Sequence, residues 1–227
     1  MCGRYYRRSD KQKIGDAFNI SDLPSSLIIS DADYNVAPTT FQPVIRNDRE
    51  TGERELVLMR WGLVPFFTKQ LSDVKGISTI NAKAENVDKS PTWRTPFLKR
   101  RCLVPASGYY EWKKLDAKTK QPFAFRLKDD EPLAFAGLWD AWKDPNGEWL
   151  QSFSIITTDA NELTSDVHTR MPVILHPKDY GRWLERESER PPVDLLRPFE
   201  SEAMAATPCN PLVGNFRNNG PEMLNSA

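Results

Sequence analysis

Histidine and cysteine are scarce in this 227-residue chain: two of the former, His168 and His176, and three of the latter, Cys2, Cys102 and Cys209. None falls into a CxxC or HxxxH spacing, which argues against a structural zinc site and against a disulfide framework. The expectation is a protein of a reducing compartment with no metal and no cofactor. Long apolar runs are also missing. Nothing approaches the ~20 residues of a membrane span, and the N-terminus lacks the apolar stretch of a signal peptide, so a cytoplasmic protein with no membrane partner is expected. Internal repeats and low-complexity tracts are absent. Net charge is zero, with 31 Lys and Arg against 31 Asp and Glu, and by itself that balance gives no argument for nucleic acid.

What is present points to a packed protein of short elements. Hydrophobic residues make up 39% and aromatics 11%, enough for a substantial core and too much for disorder. Eighteen prolines interrupt the chain often enough to exclude a helix bundle. Ser9 and Gln12 have capping-box spacing, and Ile14, Ala17 and Phe18 recur at helical intervals, which predicts a helix over 10–19. Runs rich in β-branched and aromatic residues, bounded by Pro, Gly and Asp, predict strands at 55–65, 101–114, 122–128, 133–142 and 152–160. "YNVAPTT" reads as a turn into a strand. Two more helices are expected, at 160–167 with Asp159 and Glu162 as a cap, and at 178–187 after Pro177. The sum is a single α+β domain over residues 1–227, with a mostly antiparallel, barrel-like sheet and a few short helices.

Charge is unevenly distributed along that domain. Residues 1–114 hold 19 basic against 13 acidic residues, including "CGRYYRR" and "RTPFLKRR", and the remainder reverses the balance. A folded basic face is one reading, and ordinary solvated charge is the other.

Four positions stand out for chemistry. Once Met1 is removed, Cys2 carries a free α-amine beside its thiol. A reference amine titrates near pH ~8 and a reference thiol near ~8.5, so the amine is partly nucleophilic at neutral pH. An incidental cysteine at a frayed terminus is the plain alternative. Glu111 lies in "SGYYEWKK", where alternation puts it on one face with Tyr109 and Lys113. It is either solvated or pocketed beside aromatics, and burial would raise its pKa toward a proton shuttle. His168 in "DVHTRMPVIL" falls in a loop between regular elements and is an acid/base candidate, whereas His176, just before Pro177, reads as a surface helix cap. Asn81 in "STINAKAE" offers an amide suited to a sugar hydroxyl or phosphate, or to simple turn chemistry. Trp61, Phe66 and Phe67 surround a proline turn, either as core or as stacking platforms.

Taken in order, "MCGRY", "YNVAPTT", "RWGLVP", "INAKAE", "RCLVPASGYYEW", "HTRMPVIL" and "VGNFRNNGPEML" resemble the signature blocks of the SOS response-associated peptidase (SRAP) family across essentially the whole chain. The resemblance implies the SRAP fold and the processing of abasic sites in single-stranded DNA, with Cys2, Asn81, Glu111 and His168 as catalytic residues. It implies a covalent thiazolidine between the lesion and the Cys2 amine and thiol. Arg4, Lys83 and Arg170 are the matched positions for backbone contacts, with Trp61, Phe66 and Phe67 as stacking residues. Lys83 stands where many relatives carry Arg, which weakens a bidentate phosphate contact. The chain also ends soon after the last block, which suits a bacterial-type member, expected to act as a monomer and to associate with the nucleoid when bound to DNA. Two other classes stay open: a cysteine-type peptidase or amidohydrolase that removes its own Met1, with lyase-type chemistry possible alongside, and a non-covalent reader of single-stranded or modified DNA.

Overall fold

Frequent proline and β-rich patterning keep the helices short and leave the architecture to strands. The computed structural model describes residues 2–74, 79–186 and 190–226. Its strands are β1 (Tyr5–Arg7), β2 (Asp33–Val36), β3 (Phe41–Asn47), β4 (Arg54–Trp61), β5 (Asn81–Lys83), β6 (Arg101–Ala106), β7 (Gly108–Lys114), β8 (Lys120–Leu127), β9 (Leu133–Lys143), β10 (Trp149–Asp159), β11 (Arg170–Pro172), β12 (Ile174–Leu175) and β13 (Met204–Pro208). The α-helices are α1 (Lys11–Phe18), α2 (Arg94–Lys99), α3 (Glu162–Ser165) and α4 (Tyr180–Leu184).

Strands β4, β3, β6 and β9 pair antiparallel in that order, and β10 joins β9 antiparallel and β4 parallel, which closes a five-stranded barrel. Closure leaves these strands no open edge. Strands β5 and β11 pair with β10, and β12 with β9. A second, antiparallel sheet runs β13-β8-β7-β1-β2. The expected α+β, mostly antiparallel barrel is therefore what the chain forms.

Side-chain alternation divides the barrel's residues between two cores. Val44, Cys102, Val104, Phe135 and Ile155 belong to a cluster shared with Tyr5, Tyr109 and Phe125 of the second sheet. Their neighbours Ile45, Leu103, Ala134, Ala136 and Ile156 pack instead with Phe18, Phe97 and Trp183 from the helices. Burying a Phe or Leu contributes ~1.5–3 kcal/mol, so this two-sided burial is the main stabilising term.

Four assignments differ from expectation. The run at 101–114 is two strands, because the chain leaves the barrel at Ser107 and enters the second sheet. At Gly108 a Cβ would collide with the Phe125 carbonyl and the Tyr6 hydroxyl, so the crossing needs glycine. The cap of α1 is Asp10, whose carboxylate accepts from Lys13 N at 2.8 Å, while Ser9 is buried. Asn161, and not Asp159, caps α3, its side-chain oxygen accepting from Thr164 N at 2.8 Å. The helix expected over 178–187 is a 3₁₀ turn (Pro177–Asp179) followed by α4, which stops at Leu184, and residues 187–189 lie outside the described residues.

Candidate active site

The amino-terminal segment is held by the second sheet. Tyr5 pairs with Tyr109 and Tyr6 with Gly108 in antiparallel register, and Tyr110 N donates to Arg4 O at 3.0 Å. The same register followed backward brings Cys2 alongside the stretch of β7 that carries Glu111. Cys2 is fully buried, not a frayed terminus. Its Sγ lies 3.8 Å from the Arg4 carbonyl, a weak sulfur hydrogen bond. Burial foremost, and then the Glu111 charge, push the thiol pKa far above its ordinary value, so the sulfur rests as a neutral thiol.

Asn81 reaches the same segment from the barrel side. Strand β5 pairs in parallel with β10, Asn81 opposite Ile155, and the Asn81 side-chain amide donates to the Cys2 carbonyl at 2.8 Å. Its Oδ1 is buried, and among the described residues it has no hydrogen-bond partner. That leaves an acceptor available to a ligand hydroxyl.

Glu111 is 4% exposed, in the pocketed arrangement and not the solvated one. Burial pushes its carboxyl pKa up to about 7, which lets it both give and take a proton at neutral pH. Tyr109, two residues earlier on the same face, stacks on Phe125 with centroids 4.9 Å apart, and its hydroxyl meets Thr164 Oγ1 at 2.9 Å. Thr164 O in turn accepts from His168 N at 2.9 Å. Tyr109 and Thr164 thus connect the strand beneath Glu111 to the loop of His168. Thr164 carried no sequence signal of its own. Tyr109 had one, its alternation with Glu111.

His168 Nδ1 lies 3.0 Å from Arg170 N and 3.2 Å from Arg170 O. A neutral ring accepts the amide at Nδ1, and a charged ring donates to the carbonyl, so one residue orients the imidazole in both protonation states. Partial burial lowers the pKa of the ring, which is therefore mostly neutral at pH 7. His176 has a surface role, with Nε2 2.9 Å from Glu200 Oε2 and its ring against Phe199.

The residues named for DNA contacts divide into two groups. Trp61 is fully buried, and its indole N–H donates to Ile80 O at 3.0 Å. No face of that ring is open to a base, which corrects the stacking expectation: the residue is core. Phe66 and Phe67 are exposed and meet edge to face with centroids 5.4 Å apart. Lys83 is exposed on the strand of Asn81. Arg4 is committed internally, Nη1 donating to Asn35 Oδ1 at 2.8 Å and to Val213 O at 3.1 Å, and it fastens the C-terminal segment to the second sheet. Arg170 faces two carboxylates, with Nη1 2.5 Å from Glu85 Oε1 and 2.9 Å from Asp159 Oδ1, while Nη2 donates to Thr157 O at 2.6 Å. Arg170 is thus charge-paired within the fold, whereas Arg4 meets only neutral acceptors. Among the described residues no group of His, Cys, Asp and Glu has the arrangement of a metal site, and no helix is long and apolar enough to cross a membrane.

The chain as a whole is similar to known proteins. A family model described as SOS response associated peptidase (SRAP) matches residues 1–216. The chain is 39% identical, over the full length of both chains, to the abasic site processing protein YoqW of Bacillus subtilis (strain 168). It is 30% identical to the abasic site processing protein HMCES of Mus musculus, covering 84% of this chain and 64% of that one. A crystal structure of a protein from Bacteroides thetaiotaomicron superimposes over 100% of both chains with a TM-score of 0.88 at 29% identity.

Proposed function

Because the chain belongs to the SOS response associated peptidase family, we propose that it processes abasic sites in single-stranded DNA by capturing the lesion on Cys2 as a thiazolidine, after loss of Met1. The observation that carries this reading is the convergence of the two sheets on one residue. Cys2 is buried, its carbonyl is held by Asn81, and Glu111 is close enough to act on its charge state.

The abasic sugar is mainly a closed hemiacetal. Opening breaks the C1′–O4′ bond, releases the C1′ hydroxyl proton to water and delivers a proton to O4′, the latter a transfer assigned to the protonated imidazole of His168. The Cys2 amine then adds to the aldehyde carbon. Loss of one water from the carbinolamine, helped by the protonated Glu111 carboxyl, gives the imine. The thiol adds to the same carbon: the C–S bond forms, and the S–H proton ends on the ring nitrogen through the Glu111 carboxylate. A neutral thiol suits this order, because the amine reacts first and sulfur closes the ring second. Closure converts a reversible imine into a durable link and shields the aldehyde from β-elimination.

The same raised thiol weighs against a cysteine peptidase, which needs a thiolate activated by a neighbouring base. Asn81 Oδ1 is the acceptor for a sugar hydroxyl, Lys83 the nearby phosphate contact, and Phe66 and Phe67 the stacking pair. Arg4 and Arg170 serve as positioning residues. Intact mass after mixing with an abasic oligonucleotide tests the reading. An adduct of protein plus DNA less one water supports it, a gel shift without mass gain indicates a non-covalent reader, and peptide turnover indicates a protease.

A further inference from the structure

The turn between β3 and β4 packs beside the end of α2 and the residues after α4, around a surface depression of about 480 Å³ lined by Asp48, Arg49, Lys99, Glu185 and Arg186. Nothing in the chemistry at Cys2 uses it. Arg46 and Arg100 flank it, and each is already neutralised. Arg46 pairs with Glu55 at 2.7 Å and lies 4.4 Å from the centre of the Trp139 ring, and Arg100 pairs with Asp140 at 2.7 Å. Arg49, Lys99 and Arg186 differ: among the described residues no carboxylate forms an ion pair with them. Of the two acids in the lining, Asp48 spends Oδ1 on the turn, accepting the amides of Glu50 and Thr51 at 2.9 Å each. Burial first, and then Arg49, Arg46 and Arg100, lower the pKa of Arg186, so cations are crowded there against their own repulsion. Such crowding is relieved by a polyanion.

The depression is also joined to the lesion site. Asp140, which holds Arg100 through Oδ1, accepts the Phe66 amide at Oδ2 at 3.1 Å. One buried carboxylate therefore fixes both the exposed Phe66–Phe67 pair and the near edge of the basic surface. On the other flank, Phe67 lines a groove with Thr79, two residues before Asn81.

We propose that the DNA strand on one side of the lesion passes over Phe66 and Phe67 and lays its phosphates against Arg49, Lys99 and Arg186, a sequence-independent anchor separate from the reacting residues. This rests on the reading of the protein as a single-stranded DNA binder. Duplex DNA is an outcome of the test, not the proposal.

The experiment uses 12-nucleotide strands carrying a tetrahydrofuran abasic analogue, which cannot form an imine, at either the 5′ or the 3′ end. Binding is measured against salt for the wild type and for Arg49→Gln/Lys99→Gln/Arg186→Gln. The triple variant is expected to lose affinity on the order of tenfold or more at low salt for one polarity only. Its log–log salt slope should become shallower by about 2, since each single-strand phosphate contact contributes ~0.7. Crosslinking of a three-nucleotide abasic strand, too short to reach the anchor, should match the wild type, which certifies the site. Unchanged affinity and slope for both polarities, or equal losses for both, would overturn the anchor, as would a defect confined to duplex DNA. If the wild-type protein forms no adduct with any abasic strand, the covalent reading fails while the salt slopes still decide this surface.

Discussion

The Asn81 side-chain amide donates to the Cys2 main-chain carbonyl at 2.8 Å, across 79 residues of sequence. This bond ties a strand on the outside of the barrel to the first residues of the second sheet. It fixes where the Cys2 nitrogen and sulfur can point. Asn81→Ala should lower the rate of adduct formation at saturating DNA by about 10- to 100-fold, in line with the loss of orientation, while stability falls by only ~1 kcal/mol. Single-turnover rates and a urea titration check it; a loss confined to DNA affinity would contradict the positioning role.

Cys2→Ala should form no stable adduct, whereas Cys2→Ser should leave an imine that borohydride traps and hydroxylamine releases. Cys102 and Cys209 are buried in the cores, so Cys102→Ala and Cys209→Ala should crosslink at wild-type yield with some loss of stability. Intact-mass spectra after DNA digestion distinguish the four variants, and a stable adduct on Cys2→Ala would remove the aminothiol from the mechanism.

The folded pKa of Glu111, about 7, is raised from 4.5 by burial. Its contribution to stability is therefore fully present below pH ~4.5 and lost as pH rises through about 7. Glu111→Gln stays neutral throughout. The variant should match the wild type near pH 4.5 and exceed it by on the order of 3 kcal/mol above pH 8, while adduct formation slows by ~10²–10⁴-fold. Denaturant midpoints at the two pH values provide the comparison, and a variant less stable at pH 8 would reverse the assignment.

His168 titrates below 6.5, so its neutral form dominates at pH 7 and is lost as pH falls through the lowered value. His168→Ala should slow reaction with the cyclic abasic sugar far more than with a simple open-chain aldehyde, and this selective deficit should widen as the pH falls, because the protonated ring is the form that delivers a proton to O4′. Equal deficits for the two aldehydes would show that the ring has no part in sugar opening.

The aromatic residues separate by burial. Phe66→Ala and Phe67→Ala should weaken single-strand binding by about 1–3 kcal/mol each with little effect on stability. Trp61→Ala should cost ~3–5 kcal/mol of stability, because the indole is fully enclosed and its N–H is bonded. Thermal melts alongside binding curves separate the two classes of defect.

The sequence by itself determined the elements whose signal is local. Periodicity placed α1 within a residue at each end. Alternation and β-branched runs placed β4, β8, β9 and β10, and the ordered motifs from "MCGRY" to "VGNFRNNGPEML" carried the family. The three-residue strand β1 left no comparable trace, since so short a segment owes its pairing to partners far along the chain. The partition of 101–114 between two sheets was equally hidden, because Gly108 and Ser107 read as ordinary turn formers until the approach of Phe125 and Tyr6 gives them a reason. For the site, composition marked Cys2, Glu111 and His168 as candidates but could not say which were buried, and burial is what raises Glu111 and Cys2 and lowers His168. The family resemblance likewise offered Arg4 and Arg170 as contacts for the DNA backbone. Only the fold placed Asn35 and Val213 beside the one and Glu85 and Asp159 beside the other, because hydrogen bonding and desolvation depend on distances between residues that the order of the chain does not contain.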